Sequence, residues 1–111
     1  MDQVDRYRAI VRRLIEEYAR YKPAYGDIRM EAVVDREHDH YEVMQVGWNG
    51  DHRVHGSIIH INIRDGKVWI EYSGTDAHLG EELVAAGIPR NDIVLGFQPK
   101  EMRSLSGFGI G

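Results

Sequence analysis

Residues 61–76 read "INIRDGKVWIEYSGTD", and the Asp65-Gly66 pair near the middle constrains the architecture of this chain more than any other feature. Asp-Gly between two alternating runs predicts a two-residue hairpin turn, because both central residues of a type I′ turn need positive φ. The register follows from the turn. Arg64 opposes Lys67, Ile63 opposes Val68, Asn62 opposes Trp69, Ile61 opposes Ile70, His60 opposes Glu71 and Ile59 opposes Tyr72. Opposed residues share a face of the sheet. One face is therefore Ile59, Ile61, Ile63, Val68, Ile70 and Tyr72, the composition of a core, and the other is His60, Asn62, Arg64, Lys67, Trp69 and Glu71. Trp69 is the odd member, an indole on the side that otherwise faces water.

Around this hairpin the periodicity predicts the remaining elements. Val4, Tyr7, Val11, Leu14, Tyr18 and Tyr21 recur at helical spacing, widened by Ile10 and Ile15, so residues 2 to about 21 form a helix with Asp2 and Asp5 in its first turn and Pro23 as its stop. From Ile28 the period changes to two. Strands are predicted over 28–35, 41–48 and 54–64, with "NGDHR" as a five-residue loop before the third, and over 67–73 after the Asp-Gly turn. "SGTDAHLGEELVAAGIP" is a second helix, capped by Thr75 or Asp76 and closed by Gly87, with Ile88 and Pro89 following. A short apolar strand and a tail complete an α+β chain: N-terminal helix, four-stranded antiparallel meander, second helix, C-terminal strand and tail, in one domain spanning 1–111.

The bulk properties exclude several classes. No apolar run approaches a membrane span, and the acidic start "MDQVDRYRAI" is unlike a secretory signal, so the expected location is the cytoplasm. Zero cysteines remove disulfides, thiolate metal sites and thiol nucleophiles. A net charge of −4 counts against a free-standing nucleic-acid binder, though it permits a local basic stripe. Arg6, Arg13 and Arg20 make such a stripe on the first helix, where six basic and four acidic residues through position 22 leave +2 locally and −6 in the rest. DNA-backbone contact is one reading of that stripe, and a solvated face with pairs such as Glu16 to Arg20 is the other.

With the five-residue loop, Trp48 opposes Val54, Val46 opposes Gly56, Met44 opposes Ile58 and Glu42 opposes His60. The water-side face then gathers Met44, Val46, Trp48, Val54, Ile58 and Trp69 beside a polar strip of Glu42, His60 and Glu71. One helix covers one face, so the second face needs the second helix and tail, or another chain; each indole alone buries roughly 200 Å² when covered. Phe108 and Ile110 alternate with Gly107, Gly109 and Gly111, the pattern of an extended arm that approaches a sheet closely, within the chain or across to a partner. The strip of Glu42, His60 and Glu71 is acid–base geometry or a cross-strand ladder, and no nucleophile motif accompanies it. The six histidines, several of them in predicted turns, suggest surface positions and no metal or other cofactor.

A long ordered string of motifs carries a family resemblance. It runs through Gly47-Trp48 with Gly50, Arg53 and Gly56, then His60, Gly66-Lys67-Val68-Trp69-Ile70 and Gly74-Thr75. Ala86-Gly87-Ile88-Pro89 and Asp92-Ile93-Val94-Leu95-Gly96-Phe97 complete it. These resemble the XisI family, fdxN-element excision controlling factors of heterocyst-forming cyanobacteria and other bacteria, over essentially the whole chain; the ending "SGFGIG" is the clearest departure. The resemblance implies a small α+β accessory protein, required with a companion of the XisH type for site-specific excision of a DNA element by a separate recombinase. The expectation is a non-enzymatic regulator of DNA recombination acting by protein–protein binding, with a homo-oligomer also expected. Its interaction surface is Trp48, Trp69, Met44, Val54, Ile58, His60, Phe108 and Ile110. The alternatives are a DNA-backbone binder through Arg6, Arg13 and Arg20 and a small enzyme using Glu42, His60 and Glu71.

Overall fold

The computed structural model describes residues 2–111. Its elements are α1 (Gln3–Ala19), β1 (Asp27–Asp35), β2 (His40–Asn49), β3 (His52–Arg64), β4 (Lys67–Ser73), α2 (Leu79–Ala85), a 3₁₀ turn (Arg90–Asp92), β5 (Ile93–Leu95) and α3 (Lys100–Arg103). The strands form one sheet in sequence order, antiparallel through β4, with β5 parallel to β4 after the α2 crossover. The predicted α+β architecture holds, the short C-terminal strand being a fifth member of the sheet.

The two longer helices, α1 and α2, lie on one side. Tyr7, Val11, Leu14 and Ile15 of α1 and Leu79 and Leu83 of α2 form a single cluster with Tyr41, Val43, Ile59, Ile61, Ile63, Val68, Ile70 and Ile93. Each such aliphatic side chain, withdrawn from water, contributes about 1.5–3 kcal/mol, so this face is where the fold is held. The second helix therefore does not cover the other face. It joins α1 because Gly87, at φ 115°, turns the chain and lets the Ile88 N–H donate to the Leu83 carbonyl at 3.1 Å, which buries Ile88 in the same cluster. The α2 N-terminus differs from expectation: the helix begins at Leu79 after His78, and Thr75 Oγ1 instead accepts from the Ala77 N–H at 3.2 Å.

Two contacts tie α1 to the sheet. Arg8 Nε donates to Asp39 Oδ1 at 2.8 Å, and Asp39 also accepts from Tyr41 Oη at 3.0 Å. The Arg8 guanidinium thereby holds the Asp39 carboxyl below the usual carboxylate range, while burial and the Asp39 bond push the Tyr41 phenol up to about 12. Next to Arg8 on the same N-terminal part of α1, the buried Tyr7 hydroxyl donates to Asp92. The helix stops at Ala19, two residues earlier than the apolar stripe suggests, and Tyr21 is exposed.

The Asp65-Gly66 turn is as predicted, with φ 53° and 73°, and it sets Arg64↔Lys67, Ile63↔Val68, Asn62↔Trp69 and Ile61↔Ile70. Beyond Ile61 a bulge places His60 opposite Tyr72 and Ile59 opposite Ser73, so Glu71 is the extra residue. Tyr72 consequently leaves the core side and is half exposed, and the expected His60–Glu71 pair does not form. The β2–β3 connection also departs from expectation. It is a two-residue turn at Gly50-Asp51, not a five-residue loop, and Gly50 takes φ 64° at its first position. Trp48 therefore opposes Arg53, Val46 opposes His55 and Met44 opposes Ser57, each one residue from the predicted partner. A second bulge at Ile58 absorbs the offset and restores Glu42↔His60.

Candidate interaction face

The side of the sheet away from the helices is the candidate site. Alternation from the observed registers puts Arg29, Glu31 and Val33 of β1, Glu42, Met44, Val46 and Trp48 of β2, and Arg53, His55, His60 and Asn62 of β3 on this outer face. Arg64, Lys67, Trp69 and Tyr72 continue it. Among the strand residues assigned to it from the sequence, Val54 and Ile58 belong to the helix side. Val54 opposes Gly47 on the helix side, because the shorter turn shifts the register by one. Ile58, the bulged residue, packs against the helix-side core and lines a groove with Tyr18, Tyr21 and Met30.

Its two tryptophans have different surroundings. Trp69 is 8% exposed. Arg64 stacks on its ring at 3.8 Å and Arg103 at 5.2 Å, and a Cβ on Gly111 would come within 2.6 Å of the ring, so α3 and the chain end wrap over it. Its Nε1 donor and the Oδ1 acceptor of Asn62, directly across the ladder, are buried without hydrogen-bond partners among the described residues. The contacts that hold this corner are the ring's packing against the chain end and the two stacked guanidinium groups. Trp48, at the other end of the face, is 49% exposed, with only the Arg53 guanidinium over its ring at 5.3 Å. Met44 and Val46 lie beside it, half-buried, and Val33 is exposed on β1.

The tail binds its own chain. Gly109 donates to the Ile93 carbonyl at 2.7 Å and bridges Val94, extending the sheet past β5. A side chain there would collide with the Asn91 carbonyl, which is the physical reason for a glycine at 109; Gly107 takes positive φ and Gly111 lies against the Trp69 ring. Phe108 turns to the helix side against Gly80 and beneath Arg90, away from the outer face where the sequence reading placed it, and Ile110 stays exposed.

The polar strip is only partly assembled. Glu42 opposes His60 as expected, but the bulge removes Glu71, whose carboxylate lies by Gly96. In its place is a pairing the sequence reading missed: His40 Nδ1 lies 3.0 Å from His60 Nε2, one ring donating and the other accepting. The signal was the Glu42↔His60 register, which sets His40 beside His60 on the same face. Among the described residues no group of three His, Asp or Glu side chains is arranged to hold a metal ion.

Of the three stripe arginines of α1, Arg13 is engaged by a neighbouring acid. Arg13 pairs with Glu17 at 3.3 Å and Arg12 with Glu16 at 3.6 Å, so Glu16 faces Arg12 and not Arg20. Arg6 sits over the Tyr7 ring at 5.7 Å, and Arg20, just past the helix end, is exposed.

A family model described as "XisI protein" matches residues 1–110. The chain belongs to the XisI family. Two crystal structures from Anabaena variabilis share its fold. One, of a XisI-like protein, is 37% identical with a TM-score of 0.90 and covers 99% of this chain and 100% of its own. The other, of fdxN element excision controlling factor XisI, is 32% identical with a TM-score of 0.85 over the same shares. No curated protein matches the sequence. Three of the glycines that carry the resemblance have a structural account: Gly66 and Gly87 make turns at positive φ, and Gly96 lies against Trp69 and Glu71 where a Cβ would not fit. Among the described residues no helix is long and apolar enough to cross a membrane.

Proposed function

We propose that this chain is a non-catalytic accessory protein of site-specific DNA excision, working in the cytoplasm by binding a companion protein of the XisH type. Family membership and the excision controlling factor among its structural neighbours support the excision role. The observation that carries the binding role is Trp48, half exposed beside Met44 and Val46 on a sheet face that neither α1 nor α2 covers. Large aromatics in that position, flanked by a cation such as Arg53, have the character of interface anchors. The companion's binding energy would then be the output, shifting its stability or activity and so permitting recombination. The outer face around Trp48 and His60 is the contact, and the buried Trp69 shapes it from below.

The test is co-expression with the neighbouring companion gene and recovery of the complex through a tag on this chain. Recovery with the native protein, lost in Trp48→Ala while the variant stays folded by circular dichroism, is the expected result. Intact recovery with Trp48→Ala would remove this face from the proposal. Titration with duplex DNA at low and moderate salt tests the competing reading, since tight salt-sensitive binding lost on replacing Arg6 and Arg20 would move the function to α1.

A further inference from the structure

The sheet has two edges, and the chain treats them differently. Past β5 the tail is hydrogen-bonded through Gly109, so that edge is covered by the protein itself. At the other edge β1 pairs with β2 along its whole length, from Asp27↔Trp48 to Asp35↔His40, and among the described residues no strand lies beyond it. A nine-residue edge is a template for another strand unless it is blunted by proline, lysine, a bulge or a covering loop. The segment "DIRMEAVVD" contains no proline and its ladder with β2 is unbroken; its charges, Asp27, Arg29, Glu31 and Asp35, are of both signs, so they select the register of an added strand and do not bar one. The middle of the strand is open: Glu31, Ala32 and Val33 are all exposed, Ala32 even though it lies on the helix side across from buried Val43.

We propose that β1 is a self-association strand, onto which β1 of a second copy adds antiparallel about a two-fold axis at Met30, joining the two five-stranded sheets into one. The occupant and the register both follow from the order of charges. Full overlap, centred on Glu31, would set Glu31 against itself and Asp27 against Asp35, and like charges directly opposed are destabilising. A shift of one residue to Met30 sets Arg29 against Glu31 of the second copy, and Glu31 against its Arg29. Within one chain Arg29 Nε already lies 3.1 Å from Glu31 Oε1, so the four charges close into an alternating ring. The same shift brings Tyr25, 57% exposed in the loop before β1, alongside Asp35 of the second copy.

The opposite shift, to Ala32, sets Arg29 against Asp35 but leaves Glu31 facing Val33 and runs the pairing into the turn after Asp35, where the chain folds back into β2 and Asp35 is already bonded to His38 at 2.9 Å. The Met30 register is the one that satisfies both charge and chain path. A contact made mainly of one strand pair falls at the low end of specific interfaces, below about 1,200 Å² in total, so the dimer forms in a concentration-dependent way. Strand addition leaves the outer face and Trp48 open, so the proposal does not depend on the companion protein.

The experiment uses the full chain, which has no cysteine of its own. Sedimentation of the native protein from micromolar to millimolar concentration should pass from monomer to dimer. Glu31→Arg should raise the dissociation constant at least about tenfold, as expected from replacing an attractive cross-strand pair by a repulsive one at two symmetric positions. The charge-swapped double variant Arg29→Glu/Glu31→Arg should recover the dimer. Mild oxidation of Met30→Cys should give a covalent dimer, and of Ala32→Cys should not. A monomer at every concentration, a Glu31→Arg protein that dimerises like the native one, or preferential cross-linking through Ala32→Cys would each overturn the proposal. The charge variants alter only exposed side chains, so they decide the question even if Met30→Cys folds poorly.

Discussion

Trp48 and Trp69 occupy the same face of one sheet and have opposite surroundings. Trp69 lies on β4, next to the parallel β5, where the chain continues through α3 and doubles back over the ring. Trp48 lies at the far end of β2, paired with β1 and β3, where the Arg53 guanidinium lies over its ring and half of the side chain stays exposed. The difference shows that exposure on this face is set by chain path and not by residue type. A tryptophan near the C-terminal edge becomes part of the core, and one near the N-terminal edge remains available to a partner.

The largest expected effect separates them directly. Trp69→Ala removes a nearly buried indole and should cost about 3–5 kcal/mol in urea unfolding, the range for large aromatic truncations. A loss comparable to that of an exposed residue would mean that Arg64, Arg103 and the chain end are not packed on the ring in solution. Next comes the arm itself. Gly109→Ala forces a Cβ against the Asn91 carbonyl and should cost about 1–3 kcal/mol, as overpacking does. It should also release the tail, seen as faster proteolysis after Arg103 and a rise in acrylamide quenching of Trp69.

The helix side supplies a control through acid titration. Asp39 is held below the ordinary carboxylate range chiefly by the Arg8 hydrogen bond. A depressed folded-state value stabilises the native state above the ordinary carboxylate pKa, and that contribution is lost as pH falls through the folded-state value. Asp39→Asn should therefore flatten the acid limb of the stability curve and leave Trp48 and Trp69 fluorescence unchanged at neutral pH. An unchanged acid limb would dismiss the Arg8–Asp39 contact as a source of stability. The smallest stability effect belongs to Trp48→Ala, expected within about 0.5 kcal/mol of the native protein because little is uncovered by removing it. A large loss of stability there would show that Trp48 is structural and would weaken its role as an anchor.

Much of this was legible in the sequence because it depends on local chemistry. Asp65-Gly66 determined its turn and four opposed pairs, since two residues of positive φ leave a hairpin almost no other choice. The α1 stripe predicted Tyr7, Val11, Leu14 and Ile15 as the buried side, and the glycine-rich tail foreshadowed an arm that lies close against backbone at Gly109. The Glu42↔His60 pair was also found, although through two offsets that cancel: the tight Gly50-Asp51 turn and the bulge at Ile58.

What the sequence could not supply was the path of the chain over longer distances. Alternation gives faces only while the ladder is regular, and each bulge exchanges the faces of every residue beyond it. That is why Tyr72, Val54 and Ile58 changed sides and why Glu71 left the polar strip. Whether α2 would share the side of α1, and which tryptophan the tail would cover, are questions of packing between segments far apart in the chain. The sequence by itself determined the elements, the central hairpin and the existence of a second, partly apolar face. Only the tertiary structure decided that this face is closed at Trp69 and open at Trp48, because burial is shared among distant segments and no local pattern encodes which of them arrives.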